Sequence, residues 1–260
     1  YTGWGAPALQ LGGKPWGFWY TVIYTLLMSC FGVKAMARWG LRRRNPFQIW
    51  RYAALIGFQW IFFFLIPEYL FPWAMRYDWL GPALSHDPNF AGNGWRAYGL
   101  VYAWPLFVHT FFGAPHRIWI WWGVLLTFVV IPVFVLFHGK RYCSWICGCG
   151  GLAETLGDRW RHLAPKGRTS IRLEQMGSAI LIVIAALTAI LVGGGTFAAW
   201  RKPAQTALDW YGLIVDFWLV GLIPVALYQF LGGKVWCRYW CPLAKYMQWL
   251  SAWFTRLKIS

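Results

Sequence analysis

Two long apolar runs in this chain are each broken by Ile-Pro-Val, and each ends in a matching short phrase that carries two cysteines. The first run contains Ile131-Pro132-Val133 and ends in Gly139-Lys140-Arg141-Tyr142-Cys143-Ser144-Trp145-Ile146-Cys147. The second contains Ile223-Pro224-Val225 and ends in Gly233-Lys234-Val235-Trp236-Cys237-Arg238-Tyr239-Trp240-Cys241, with its cysteines 94 residues further on. Proline removes a backbone donor and crowds the preceding turn, so it kinks an apolar helix. The repetition predicts two Pro-kinked helices that deliver two Cys pairs to the same side of a membrane.

Composition supports the membrane setting. The chain is 59% hydrophobic and only 12% charged, and an apolar run of about 20 residues is enough to cross the hydrocarbon core. Spans are expected at roughly 16–37, 50–74, 118–138, 175–199 and 208–232. The piece from Ala97 to Gly113 is shorter, and Pro105 interrupts it. A full crossing there would invert the charge pattern of every later loop. It is therefore expected to be re-entrant or interfacial, with protein covering its backbone. The expected fold is an all-α integral membrane protein of about five transmembrane helices plus that segment, with a parallel internal repeat of a Pro-kinked helix followed by CxxxC. Two parts follow: 1–115, with two spans and the re-entrant segment, and 116–260, with three spans and both motifs. Residue 1 is Tyr rather than Met, so the start is processed or missing. Residues 1–15 lack the pattern of a signal peptide.

The net charge of +16 sits in short loops between apolar runs. That is the positive-inside bias and not a nucleic-acid footprint. Of the 24 Lys and Arg residues, 18 fall on the side that holds both motifs. The expected topology puts the N-terminus outside and the C-terminus in the cytoplasm of a bacterial inner membrane, with membrane lipid as a partner. Arg42-Arg43-Arg44 would anchor an inner loop at anionic headgroups. Interfacial belts account for many of the 22 Trp residues.

Within each motif the cysteines stand at i and i+4. On a helix those positions share a face, with Cβ atoms about 5–6 Å apart. That separation suits thiolates on neighbouring irons of a cubane and is wider than the spacing round one zinc ion. Two pairs supply the four thiolates of a [4Fe–4S] cluster, and a reducing compartment argues against disulfides. Cys143, Cys147, Cys237 and Cys241 are the candidate metal ligands. The alternative is a non-redox anchor or assembly factor whose four cysteines form a zinc or copper site. Lys140 and Lys234 stand three residues before the first Cys of each pair. They would lower thiol pKa and offset cluster charge, or simply mark the inner end of a span. Pro242 could start a helix running to Phe254, whereas the glycines of Gly148-Cys149-Gly150-Gly151 let backbone approach closely. Cys149 is either an extra ligand or a small buried residue. Cys30, alone in the first span, reads as packing.

Five further residues attract notice. His109 and His116 could ligate haem or take quinol protons, or be ordinary interfacial histidines. His138 precedes Gly139 and could hydrogen-bond near the cluster. Asp216 lies inside the fifth span, where a carboxylate is costly. It suits a proton-coupled quinol site, a subunit contact, or a pairing with Arg201 or Lys202. Glu68, beside Pro67, is a weaker candidate of the same kind.

Cys-x-x-x-Cys-Pro after a Gly-Lys turn resembles the membrane polyferredoxin family, which has NapH-like and NosR-like members. The resemblance covers roughly 117–255, and the first hundred residues carry none of it. It implies an integral membrane electron-transfer subunit that passes electrons through iron–sulfur centres, often to or from quinone, with Cys143, Cys147, Cys237 and Cys241 as ligands. Ferredoxin-like or cytochrome subunits are the implied partners. Gly148 departs from the family pattern, which has Pro there. The chain also stops at Ser260 without the Cys-x-x-Cys-x-x-Cys ferredoxin motifs common in such proteins. Either another subunit supplies the next redox centre, or further residues do. One cluster near one face cannot span a core of about 30 Å. A transmembrane path would need haem, quinone or a partner's cofactor. Transport fits poorly, because the repeat is parallel and intramembrane charge is sparse.

Overall fold

The structure, a computed structural model, describes residues 10–106, 108, 116–192 and 199–254. Apart from a two-residue antiparallel pair, β1 (Gln10–Leu11) with β2 (Lys14–Pro15), its regular elements are helical. The chain divides into two compact units, Tyr1–Tyr98 and Gly99–Ser260.

The first unit contains α1 (Trp16–Met36), α2 (Pro46–Gln59), α3 (Phe71–Arg76) and α4 (Pro82–Ser85). Asn45 starts α2: its side chain accepts from the Gln48 N–H at 3.4 Å, and Pro46 takes the first helical position. The second span continues past α2 through a π-helical stretch, Trp60–Leu70, which contains Pro67. A polar seam ties it to α1. Tyr24 donates to Gln59 Oε1 at 3.0 Å, Trp60 Nε1 donates to Ser29 Oγ at 2.8 Å, and Thr21 donates to Glu68 Oε1 at 3.3 Å. Such bonds between apolar helices are worth about 0.6 kcal/mol each, but they fix register. At the basic turn, the Arg43 guanidinium lies 4.3 Å from the centre of the Trp39 ring.

The second unit contains α5 (Arg117–Leu125), α6 (Ile131–His138), α7 (Tyr142–Trp145), α8 (Gly148–Thr155), α9 (Arg168–Val192), α10 (Arg201–Tyr211), α11 (Ile223–Leu231) and α12 (Pro242–Phe254). Pro132 and Pro224 open α6 and α11, and each follows a π-helical stretch, Leu126–Val130 or Gly212–Leu222. A widened turn accommodates the ring and the missing donor. The second copy bends by 41° at this point. Each helix then ends at a glycine with positive φ, Gly139 at 60° and Gly232 at 87°, a conformation that a Cβ would strain.

Among the described residues, four helices are long and apolar enough to cross a membrane: Gly17–Leu41, Pro46–Arg76, Arg117–Trp145 and Arg168–Val192. The bent pair Arg201–Val220 and Ile223–Leu231 makes a fifth when taken as one span. The fourth starts at Arg168 and not at 175, because its polar first turns are already helical after Gly167, whose φ is 73°.

Between the second and third spans the backbone from Leu100 to Leu106 is not a regular helix. Its carbonyls are met from inside the second unit. Trp122 Nε1 donates to Leu100 at 3.0 Å, the Tyr142 hydroxyl to Val101 at 2.6 Å, and the Tyr211 hydroxyl to Pro105 at 3.4 Å. Ala103, Leu106 and Val108 are buried in that unit's core. This segment lies in the second unit, which begins at Gly99.

Candidate metal centre

Both motifs build one local shape. The N–H of the second cysteine returns to the carbonyl just before the first: Cys147 to Tyr142 at 3.3 Å, and Cys241 to Trp236 at 2.9 Å. Each second cysteine is extended, with φ and ψ of −67° and 131° at Cys147 and −69° and 115° at Cys241. The next helix begins there, and the cysteine carbonyl accepts from Gly151 at 2.8 Å or from Lys245 at 3.2 Å. The sulfur thus faces a helix N-terminus, where backbone N–H groups favour negative charge. The N–H groups of Cys149 and Gly150 act on Cys147, and those of Leu243 and Ala244 act on Cys241. At Cys147 no closed side-chain capping bond forms, so the effect there is electrostatic.

The two copies meet. Every pair among Cys143, Cys147, Cys237 and Cys241 lies within electrostatic range, and Cys149 lies within range of Cys147, Cys237 and Cys241. Cys147 and Cys241 belong to the apolar core of the unit; Cys143, Cys149 and Cys237 pack against it. Glycines permit the approach. A Cβ on Gly150 would stand 1.7 Å from the Cys143 carbonyl oxygen, and one on Gly233 would stand 2.2 Å from the Gly157 oxygen. On α9, a Cβ on Gly177 would stand 2.7 Å from the Tyr239 oxygen.

Burial, with the charge of the neighbouring cysteines, pushes the Cys237 thiol well up and the Cys241 thiol to about 12. Cys147 is lowered instead, first by its hydrogen bond with Cys149, whose own thiol is raised by the same contact. The Cys149 thiol also reaches the Tyr102 hydroxyl, to which it donates at 4.0 Å. Several buried thiolates cannot coexist here without a compensating cation, and a multi-iron group supplies one.

A pocket of about 80 Å³ opens beside the thiols, lined by Cys143 and Cys237, Lys140 and Lys234, Ser144, Gly150, Ala153 and Glu154. Glu154 is 1% exposed, and it holds both Lys234 and Arg161 in ion pairs. Arg161 also pairs with Asp158 at 2.7 Å. A second carboxylate, Glu174 on α9, faces Arg238 at 3.7 Å and Lys245 at 3.5 Å. The sequence had suggested the lysines but not their carboxylates. The available signal was the scarcity of acids, eight against 24 Lys and Arg, with one placed in the Gly-rich helix of the first motif.

Among the described residues, no three His, Cys, Asp or Glu side chains converge closely enough to hold one metal ion. Four mutually coupled but spread thiols fit a multi-iron cluster, whose thiolates bind different irons. The family described as 4Fe-4S binding domain matches residues 120–167 and 217–259, the two stretches that carry the motifs. Its cofactor is a [4Fe–4S] cluster. An iron–sulfur electron-transfer role follows. The matched stretches leave out 168–216 and the whole first unit. No curated protein and no solved structure matches the chain.

The other candidates separate from this centre. His116 caps α5, accepting the Ile118 N–H at 3.3 Å. His138 is exposed and packs edge-on to Phe134, ring centroids 5.0 Å apart. Glu68 accepts from Tyr98 and Thr21 in the first unit. Cys30 is exposed on α1, so it does not pack inside its own unit as expected. His109 and the Asp216 side chain lie outside the described residues.

Proposed function

We propose that the chain is an integral membrane electron-transfer subunit whose cluster is held by Cys143, Cys147, Cys237 and Cys241 just inside the cytoplasmic face. The observation that carries this reading is that the cysteines of both repeats gather in and against one buried core, with Cys143 and Cys237 lining the same pocket. When bound, the cluster supplies reversible one-electron chemistry. The chain's own groups hold its ligands at two helix N-termini, exclude water with Tyr142, Trp236 and Tyr239, and set local charge through Lys140, Lys234 and Glu154. Five spans, counting the bent pair as one, give both motif-bearing helices the same direction and the cation-rich loops one side. The partners proposed are a redox protein on that side and quinone or another membrane cofactor within the bilayer.

The test is iron and acid-labile sulfide content with EPR after reduction, on the full chain and on Cys143→Ser and Cys237→Ser. Each substitution is expected to abolish the signal. Unchanged iron in either one would remove the four-ligand assignment.

A further inference from the structure

The four cysteines are unequally covered. Cys147 and Cys241 are 3% and 5% exposed, whereas Cys143 and Cys237 are half-buried and line the pocket mouth. One comes from each repeat. Electron transfer weakens steeply with distance, so the face presenting Cys143 and Cys237 is where a soluble partner comes nearest.

That face has a definite charge. Lys140 and Lys234, one from each repeat, are exposed and line it, and Arg141 and Arg238 are exposed residues of the same two motifs. The carboxylates nearby are drawn into ion pairs: Glu154 and Asp158 are buried at 1% and 8% exposure, and Glu174 is engaged by Arg238 and Lys245. Glu154 and Asp158 turn inward, while Lys140, Arg141, Lys234 and Arg238 stay exposed. A basic patch meant only for headgroups would not have to gather round a thiol-lined opening. Here the cations frame it from both repeats.

We propose that this rim is a docking face for an acidic one-electron carrier protein, which exchanges electrons at the Cys143–Cys237 edge. The inference rests on the cluster reading above and adds the partner's chemistry and its point of approach. Opposite charge would steer encounter and fix orientation, so affinity should fall as salt rises.

The experiment titrates a plant-type [2Fe–2S] ferredoxin, an acidic carrier, into the full chain in nanodiscs of zwitterionic lipid, reading affinity by microscale thermophoresis. The expected result is salt-sensitive binding, weakened about tenfold by Arg141→Glu and less by Arg141→Gln, with iron content equal to that of the unmodified chain. Affinity that is unchanged in both variants and indifferent to salt overturns the proposal. So does loss of ferredoxin binding in discs containing anionic lipid, because headgroups would then occupy the face. An iron-free chain that binds ferredoxin with the same salt and variant dependence would sink the cluster reading while leaving the docking face in place, so the two failures are distinguishable.

Discussion

The two motif copies arrive at one backbone by different residues. After Cys241 comes Pro242, whose ring presets φ for the first turn of α12. After Cys147 comes Gly148, which presets nothing, yet Cys147 and Cys241 share the same extended conformation and the same pair of backbone bonds. The first copy takes its restraint from packing instead. Gly150 lies so close to Cys143 that no side chain fits, whereas the equivalent position in the second copy is Ala244. A motif can therefore lose its proline and keep its shape if the next helix is clamped to the preceding turn.

The sharpest way to break that equivalence is Gly150→Ala. The added Cβ would meet backbone, which cannot rotate away. The expected cost is at least about 3 kcal/mol, the upper range for overpacking, with iron lost from the purified protein. Ala244→Gly in the other copy should cost about 1 kcal/mol or less and keep its iron. Comparable behaviour in thermal unfolding and iron assay would show that the two helices are held alike.

The next contrast is Glu154 against its counterpart, Gln248. Glu154 is buried and holds Lys234 from the other copy; Gln248 is exposed and accepts from Lys245 at 3.3 Å. Glu154→Gln strands two cations. Breaking a fully buried pair costs about 3–5 kcal/mol, but Lys234 and Arg161 are 49% and 32% exposed, so about 2 kcal/mol is expected. Gln248→Ala should stay within about 0.5 kcal/mol. Melting in detergent measures both.

Why the sequence disclosed some of this and hid the rest is visible in those residues. Hydropathy and the doubled Ile-Pro-Val phrase located the apolar helices, because such runs are local, although the fourth and fifth start seven residues earlier than expected, at Arg168 and Arg201. The Gly-rich stretch announced a close approach, and Gly150 makes one. Its target, the Cys143 carbonyl, depends on how α7 turns into α8. Glu154 stayed hidden for a similar reason: its partner Lys234 is 80 residues away, and only the meeting of the repeats brings them together. The piece from Ala97 to Gly113 could be read as re-entrant or interfacial from Pro105 and its length, and its described part from Leu100 to Leu106 is not a regular helix. Its packing into the second unit rests on Tyr142, Trp122 and Tyr211, none of which is near it in sequence.

A smaller contrast separates Cys241 from Cys147 in the iron-free chain. The Cys241 thiol is pushed up to about 12, mainly by burial, while an unfolded thiol titrates near about 8.5. Between those values the unfolded chain has released a proton that the folded chain keeps. Stability is therefore lost as pH rises above about 8.5. Cys147 is shifted the other way, so it does not add to this loss. Cys241→Ser should flatten the alkaline decline in melting temperature, and Cys147→Ser should not. The iron-loaded chain, with its ligands already deprotonated, should instead release iron faster as pH falls.

The smallest effect is expected at Cys149. Its counterpart in the second copy is Leu243, which is 1% exposed and packs in the core. A position filled by leucine in one copy needs no ligand in the other, and here the thiol neighbours Cys147 and donates to the Tyr102 hydroxyl at 4.0 Å. Cys149→Leu and Cys149→Ser should both keep full iron content. The change should be confined to the EPR line shape and midpoint potential, because only a hydrogen bond to one ligand sulfur is altered. If Cys149→Ser lost its iron while Cys147→Ser kept it, the ligand would be Cys149, and the symmetry of the two copies would end at their second cysteine.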